Sequence, residues 1–141
     1  MIWVIDASVA VRWFLEAESH PSADAVLERV MKQADSFAVP ELFAFEVHAV
    51  LCRVHPHGAV VFEECVMPIL EGGIYRQPMT LGLARRAAPF VNKGLTGYDA
   101  CYAALAADLK GCWITFDGRA HQRIRTFTVS HSLLGGLPDG W

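Results

Sequence analysis

The sequence has 141 residues, a length typical of one folded domain rather than two. Hydrophobic residues make up 53% of it and charged residues 19%, so the chain can bury a core and lacks the composition of a disordered protein. The formal net charge is -3, which argues against a protein that holds nucleic acid by bulk positive charge.

The first half of the chain predicts two short strands and the helices that follow them. Apolar, β-branched residues at 2–5 predict a buried strand, which ends at Asp6. Pro21 is expected to begin a helix, and Pro40 to end the second strand. Helix-compatible segments lie at 9–17, 21–34, 41–54 and 59–70, and the second strand is predicted at 36–39.

The second half continues this alternation. Strands are predicted at 74–76 and 112–115, helices at 81–91, at 97–109 and from Gly118, and an edge strand at 127–129. The tail at 133–141 is expected to be loose or packed on a partner. Short apolar strands separated by helices are typical of a parallel sheet covered on both faces. We therefore predict a single domain over residues 1–141, a three-layer α/β/α sandwich with a mainly parallel central sheet.

Composition and cysteine spacing also favour a cytoplasmic protein. Uninterrupted apolar runs fall far short of the roughly 18–20 residues that a membrane-spanning helix needs. The first residues lack a basic leader and reach Asp6 at once, which is not typical of a signal peptide. The four cysteines contain no C-x-x-C pair and lie among apolar residues, so we expect buried free thiols rather than a zinc site or disulfides.

Four acidic residues occupy positions where ligands can bind in such a fold. Asp6 follows the first strand and Asp117 the fourth, and the carboxyl ends of parallel strands share one edge of the sheet. Asp99 lies in the first turn of the helix before the fourth strand, and Glu46 lies in the middle of the helix after the second. The simpler interpretation of the three aspartates is capping, because acids are common at helix N-termini.

Glu46 does not fit the capping interpretation, because a carboxylate in the middle of a helix cannot cap an end. A lone buried carboxylate is costly, so Glu46 needs a cation. Arg53, seven residues later on the same face, is one candidate. A metal ion shared with the other acids is the alternative.

These segments resemble the motifs of PIN-domain nucleases, above all the VapC group of bacterial and archaeal toxin–antitoxin ribonucleases. The resemblance covers nearly the whole chain, and the motifs occur in the order and spacing of the family. They are Asp6-Ala7-Ser8 after a strand, Pro40-Glu41-Leu42 leading to Glu46-Val47, Leu95-Thr96-Gly97-Tyr98-Asp99-Ala100, and Ile114-Thr115-Phe116-Asp117.

The resemblance implies that Asp6, Glu46, Asp99 and Asp117 hold one or two Mg²⁺ or Mn²⁺ ions, and that Ser8 and Thr115 help to arrange the pocket. Hard divalent cations prefer such oxygen ligands and activate water for attack on a phosphodiester. The implied protein is an endoribonuclease that leaves 5′-phosphate and 3′-hydroxyl ends and is neutralised by a cognate antitoxin. One departure is Ala49, where family members often have Asn.

The distribution of charge is compatible with an RNA substrate. Residues 1–70 carry 4 basic and 10 acidic groups, whereas residues 71–141 carry 8 basic and 5 acidic groups. Setting the four pocket acids aside leaves 11 acidic against 12 basic residues. Arg119 and Arg123, one helical turn apart beside Asp117, are the preferred phosphate contacts; the other candidates are Arg85, Arg86, Lys93 and Arg125.

Two other enzyme and signalling classes are disfavoured. A haloacid-dehalogenase-type phosphatase needs a second Asp where Ser8 stands, and a response-regulator receiver expects an acidic pair just before its first strand end and a Lys after its last strand. A PIN fold that binds RNA or protein without cutting remains the main alternative, although all four acids are present. An apolar surplus at Val9, Val11, Phe14 and Leu15 suggests a homodimer or an antitoxin groove.

Overall fold

The computed structural model describes residues 1–141 and contains a five-stranded, wholly parallel sheet in the order β3-β2-β1-β4-β5. The strands are β1 (Trp3–Ile5), β2 (Phe37–Pro40), β3 (Tyr75–Gln77), β4 (Cys112–Thr115) and β5 (Ser130–Ser132). The α/β/α fold class with a parallel central sheet is thus confirmed.

Eight α-helical segments pack around this sheet. They are α1 (Ala7–Ala10), α2 (Pro21–Lys32), α3 (Leu42–Val54), α4 (Gly58–Val61), α5 (Met67–Leu70), α6 (Leu81–Asn92), α7 (Gly97–Asp108) and α8 (Gly118–Ile124). A π-helical turn, Phe62–Val66, joins α4 to α5. None of the helices combines the length and the apolar character that crossing a bilayer requires.

The central strand and one helix form the middle of the core. Every residue of β1 is buried, as expected for a strand covered on both faces. Residues 100–106 of α7 are all buried, and four of them are alanines, which let the helix approach the sheet closely. Since α7 leads into β4 through Gly111, its first turn lies at the carboxyl ends of the strands. This position brings Asp99 to the edge where β1 and β4 end.

The segment after β1 differs from the predicted helix at 9–17. Only Ala7–Ala10 is α-helical, and 3₁₀ turns follow at Val11–Trp13 and Glu16–Glu18. Leu15 between them has extended backbone. Valine and the aromatic residues here have low helix propensity, and the short turns let their side chains reach the core. Of the apolar residues that suggested a dimer or antitoxin groove, Val9 is buried, whereas Val11, Phe14 and Leu15 are half-buried against the core.

The last strand lies three residues later than predicted. Residues 127–129 have the stronger β propensity, but β5 is the polar segment Ser130–Ser132. Thr128 has a left-handed backbone with φ of 57° and ends a 3₁₀ turn, so pairing in the strand begins only after it. Tertiary contact with β4 overrides local propensity at this edge.

The C-terminal tail packs on its own chain, in contrast to the prediction that it is loose or bound to a partner. Leu133 is fully buried. The Trp141 ring lies 5.1 Å from that of Trp3 and 6.2 Å from that of Phe37, measured between centroids. The Arg29 guanidinium covers it at 4.7 Å.

The expectation of four buried thiols is only partly right. Cys101 is buried and Cys112 is half-buried, whereas Cys52 and Cys65 are exposed. All four are free, as predicted.

Candidate active site

The four predicted acids lie around the carboxyl ends of β1 and β4. Asp6 follows β1, Asp117 follows β4, Asp99 lies in the first turn of α7, and Glu46 lies on α3. They are close enough for their charges to interact, since Asp6 and Asp99 act on Glu46, and Asp6 and Asp117 act on Asp99. The fold therefore gathers carboxylates from four separate segments.

Asp6 is the most deeply enclosed of the four, with 8% of its surface exposed. Its Oδ2 accepts a hydrogen bond from the Ser8 backbone N–H at 3.0 Å, which caps α1. Its Oδ1 accepts one from Trp113 Nε1 at 3.1 Å. Burial raises the pKa of Asp6, although these hydrogen bonds oppose the change.

Glu46 is held by a tyrosine and not by the arginine considered from the sequence. The Tyr102 hydroxyl donates to Glu46 Oε1 at 2.9 Å. The two ion pairs of the structure lie elsewhere, at Lys32–Glu28 and Arg86–Asp108, so Arg53, the first of the two partners considered, does not pair with Glu46. Burial, with smaller contributions from the charges of Asp6 and Asp99, raises the pKa of Glu46 to about 7.

The capping interpretation is correct for Asp117 and only partly correct for Asp99, whose backbone N–H, and not its carboxylate, makes the capping hydrogen bond. Thr96 Oγ1 accepts the Asp99 N–H at 3.1 Å, and Asp117 Oδ1 accepts the Ala120 N–H at 3.0 Å. Burial raises the pKa of Asp99 to about 6, with further contributions from the charges of Asp6 and Asp117. Arg123 acts in the opposite direction. Capping and membership of the acid cluster are therefore compatible.

Ser8 and Thr115 join the ends of β1 and β4. Ser8 Oγ accepts the Phe116 N–H at 3.1 Å, and Thr115 Oγ1 accepts the Asp117 N–H at 3.0 Å. Side-chain hydrogen bonds from both residues also lower the pKa of Asp6. Both hydroxyls thus fix the backbone that carries the aspartates, in agreement with the arrangement that the resemblance implies.

The donor chemistry of this cluster fits a hard divalent cation. Its side chains supply carboxylate oxygens, which Mg²⁺ and Mn²⁺ prefer, and mutual repulsion is the physical reason for adding positive charge. The side chains do not form a closed cage, since no three His, Cys, Asp or Glu residues are grouped as they would be around an ion.

Of the predicted phosphate contacts, Arg119 and Arg123 lie beside the acids. Both line an open cavity of about 690 Å³ that Asp117 also borders. Arg123 Nη1 donates to the Gly94 carbonyl at 2.9 Å, which fixes its direction. Arg86, in contrast, pairs with Asp108 at 3.1 Å on the outer face of α6, in agreement with an ordinary solvated helix face.

Two residues that organise the acids, Tyr102 and Trp113, lie outside the four sequence motifs. Trp113 is fully buried, and its indole N–H holds Asp6. Tyr102 received no role. Its spacing of three residues from Asp99 along α7 was the available signal, because residues three apart share a helix face. The Tyr102 and Trp113 rings stack 5.8 Å apart at 13°.

The sequence profile of the PIN domain matches residues 3–125. The chain belongs to the PIN domain family. The family resemblance drawn from the four motifs is thereby confirmed. No curated protein matches the sequence.

Several solved structures are similar to this PIN domain. FitAB bound to an IR36 DNA fragment matches with a TM-score of 0.73 and 14% identity, over 99% of this chain and 100% of the other. A toxin–antitoxin complex from Klebsiella pneumoniae gives 0.65 and 15%, over 92% and 95%. VapC20 of Mycobacterium tuberculosis, a sarcin–ricin loop cleaving toxin, gives 0.66 and 16%, over 85% and 93%. At these identities the likeness establishes the fold.

Proposed function

We propose that this PIN domain protein is an endoribonuclease that hydrolyses RNA phosphodiester bonds with the help of Mg²⁺ or Mn²⁺. The observation that carries the proposal is that four carboxylates, from four separate segments, lie near one end of the sheet, close enough for their charges to interact. None of the four forms an ion pair with a lysine or arginine. An arrangement that serves the fold alone gains nothing from gathering acids that repel one another.

The residues proposed to hold the cation are Asp6, Glu46, Asp99 and Asp117. Such an ion, when bound, lowers the pKa of a water molecule and offsets negative charge on the phosphate that is attacked. Hard oxygen donors of this kind suit Mg²⁺ or Mn²⁺ better than zinc or copper.

The neighbouring side chains hold the carboxylates in place for this role. Trp113 and the Ser8 N–H occupy both oxygens of Asp6, and the Tyr102 hydroxyl fixes one oxygen of Glu46. Partners of this kind orient ligands and limit reorganisation during the reaction. Arg119 and Arg123 stand next to Asp117 and are proposed to bind RNA phosphates on that side.

We infer further that the ribonuclease is the toxin of a toxin–antitoxin pair and acts in the cytoplasm. The inference is supported by the similarity to proteins whose names include a toxin–antitoxin complex and a sarcin–ricin loop cleaving toxin. A small antitoxin protein is then the expected partner. Adding the product of a neighbouring small reading frame to the purified chain tests this, because a cognate antitoxin abolishes cleavage whereas an unrelated protein leaves it unchanged.

The proposal is tested by incubating antitoxin-free protein with a panel of RNAs in Mg²⁺, in Mn²⁺ and in chelator. Cleavage is expected with either metal, and none in chelator or in the variants Asp6→Asn and Asp99→Asn. Asp35→Asn is the matched control, because Asp35 is exposed in the 3₁₀ turn before β2, away from the acids.

Two results would contradict the proposal. Cleavage that persists in chelator or in both site variants would exclude the metal mechanism. Binding of RNA without cleavage across the panel would favour the alternative of a PIN fold that binds without cutting.

A further inference from the structure

Two large aromatic side chains beside the acid cluster are mostly exposed to solvent. Phe45 is 75% exposed and Tyr98 is 66% exposed. Each immediately precedes a site acid in the chain, Glu46 on α3 and Asp99 on α7 respectively. Exposed apolar surface grouped in this way marks an interaction site more often than isolated apolar residues do.

Both rings border a cavity that is continuous with the acid cluster. The cavity has a volume of about 340 Å³ and is lined by Leu42, Phe45, Glu46, Ala49 and Tyr98. Glu46 is therefore at once a member of the acid cluster and a wall of this cavity. The volume lies within the range of about 300–1,000 Å³ that is usual for ligand pockets.

A second cavity borders the same tyrosine. It measures about 310 Å³ and shares Leu42 and Tyr98 with the first. Most of its lining is apolar, but Glu41 and Gln77 supply hydrogen-bonding groups at its border. Tyr98 thus has apolar surroundings that can accept flat groups against its ring.

The acid cluster therefore borders two cavities whose lining residues differ in chemistry. On the Asp117 side lies the open cavity with Arg119 and Arg123, which suits phosphates. On the Glu46 side lies the aromatic cavity, which has no lysine or arginine in its lining. A nucleic acid strand presents both kinds of group, charged phosphates and flat bases, on neighbouring nucleotides.

We infer that Phe45 and Tyr98 form a stacking site for an unpaired base of RNA next to the phosphate that is cut. The inference rests on the proposed ribonuclease function. A base inside a duplex keeps both faces stacked on its neighbours and cannot enter the cavity without unpairing. Stacking on aromatic rings tolerates any base, so this site selects for strand state rather than for sequence.

The side chain of Ala49 leaves this cavity open. It is small and exposed, and it lies one helical turn from Phe45 on the face of α3 that borders the cavity. A larger residue there would fill the space that a base needs while leaving both aromatic rings in place. Ala49→Leu is therefore a test that does not depend on truncating an aromatic side chain.

The experiment measures binding and cleavage separately. Single-stranded RNA carrying 2-aminopurine is titrated with protein in an Asp6→Asn background, in Mg²⁺, where it should not be cut. Stacking of the fluorescent base quenches its emission. Cleavage of single-stranded RNA and of the matching duplex is measured with the same substitutions in otherwise wild-type protein.

Phe45→Ala and Tyr98→Ala are each expected to weaken RNA binding about 5- to 150-fold and to abolish the quenching. Ala49→Leu should also weaken binding, whereas the aromatic replacements Phe45→Tyr and Tyr98→Phe should keep it within about twofold of the parent. Met31→Ala is the matched control, because Met31 is 70% exposed in another apolar cavity, between α2 and α5. Wild-type protein should cut single strands in preference to the duplex.

The possible failures are distinguishable. Wild-type protein that cuts no RNA would contradict the proposed function itself. Wild-type protein that cuts RNA, while the alanine variants bind and cut equally well, would overturn the stacking site alone. Alanine variants that separate a dimer in light-scattering measurements, with unchanged RNA affinity per folded chain, would show instead that this surface is a protein interface.

Discussion

Replacing Glu46 by glutamine is expected to stabilise the metal-free protein at alkaline pH while destroying its proposed metal site. Glutamine keeps an oxygen that can accept the Tyr102 hydroxyl, which lies 2.9 Å from Oε1 of Glu46. It removes the charge that burial and the neighbouring aspartates make unfavourable. Such a gain in stability on replacement is expected for a residue that is retained for function at the expense of stability.

The size of the effect follows from the pKa of Glu46, which is about 7 in the folded protein against the ordinary value of 4.5. Because the folded pKa is the higher one, the folded protein holds the proton more tightly, and stability falls as pH rises between these two values. Each pH unit between them corresponds to about 1.4 kcal/mol, which sets an upper limit of about 3 kcal/mol. Since Glu46 is only half-buried, solvent screening reduces the expected gain for Glu46→Gln to about 1–2 kcal/mol.

Thermal unfolding in chelator at pH 4.5 and pH 8 measures this gain. At pH 8 Glu46→Gln is expected to unfold about 3–8 °C above the wild type, and at pH 4.5 the two should unfold within about 1–2 °C of each other. Glu63→Gln, on the exposed π-helical turn, serves as the control and should show no such pH-dependent gain. A Glu46→Gln variant that is no more stable than the wild type at pH 8 would refute the reasoning.

Two further substitutions test local features of the structure. Tyr102→Phe removes the hydroxyl that donates to Glu46. It should lower the free energy of unfolding, measured in urea, by about 1–2 kcal/mol at pH 8, where Glu46 is ionised, and by less at pH 4.5. An equal loss of stability at both pH values would contradict this. Gly58→Ala would bring a methyl group 2.0 Å from the Leu51 carbonyl oxygen and should destabilise the protein by about 1–3 kcal/mol. Gly97→Ala, which meets no atom within 4 Å, is its control, and equal urea midpoints for the two variants would show that α3 and α4 separate easily.

The sequence was informative where local and tertiary preferences agree. The strand at 112–115 was predicted with its observed bounds, because an apolar run bounded by Gly111 and Asp117 has few alternatives. The helix at 97–109 was predicted nearly as well, because Thr96 provides a clear N-cap. The segments after β1 and before β5 were predicted less well, because contacts between distant parts of the chain decide their form.

In the candidate site, the positions of the acids were predictable from the sequence, but their hydrogen-bond partners were not. The placement of the four acids at one edge follows from the parallel strand order, which the alternation of strands and helices predicts. The hydrogen bond from Tyr102 to Glu46 joins residues 56 positions apart, and that from Trp113 to Asp6 joins residues 107 apart. No local pattern reports such pairs, so the partners considered for Glu46 from the sequence were Arg53 and a metal ion, and not Tyr102.

Direct measurement of Mn²⁺ binding by isothermal titration calorimetry tests the central claim, that the four carboxylates form a cation site. The wild type and Asp35→Asn are expected to bind Mn²⁺ with equal affinity, and Asp6→Asn and Asp99→Asn at least about tenfold more weakly. Circular dichroism of each variant confirms that it is folded. Equal Mn²⁺ affinity in the wild type and in folded Asp6→Asn and Asp99→Asn, or no binding by the wild type, would contradict the account.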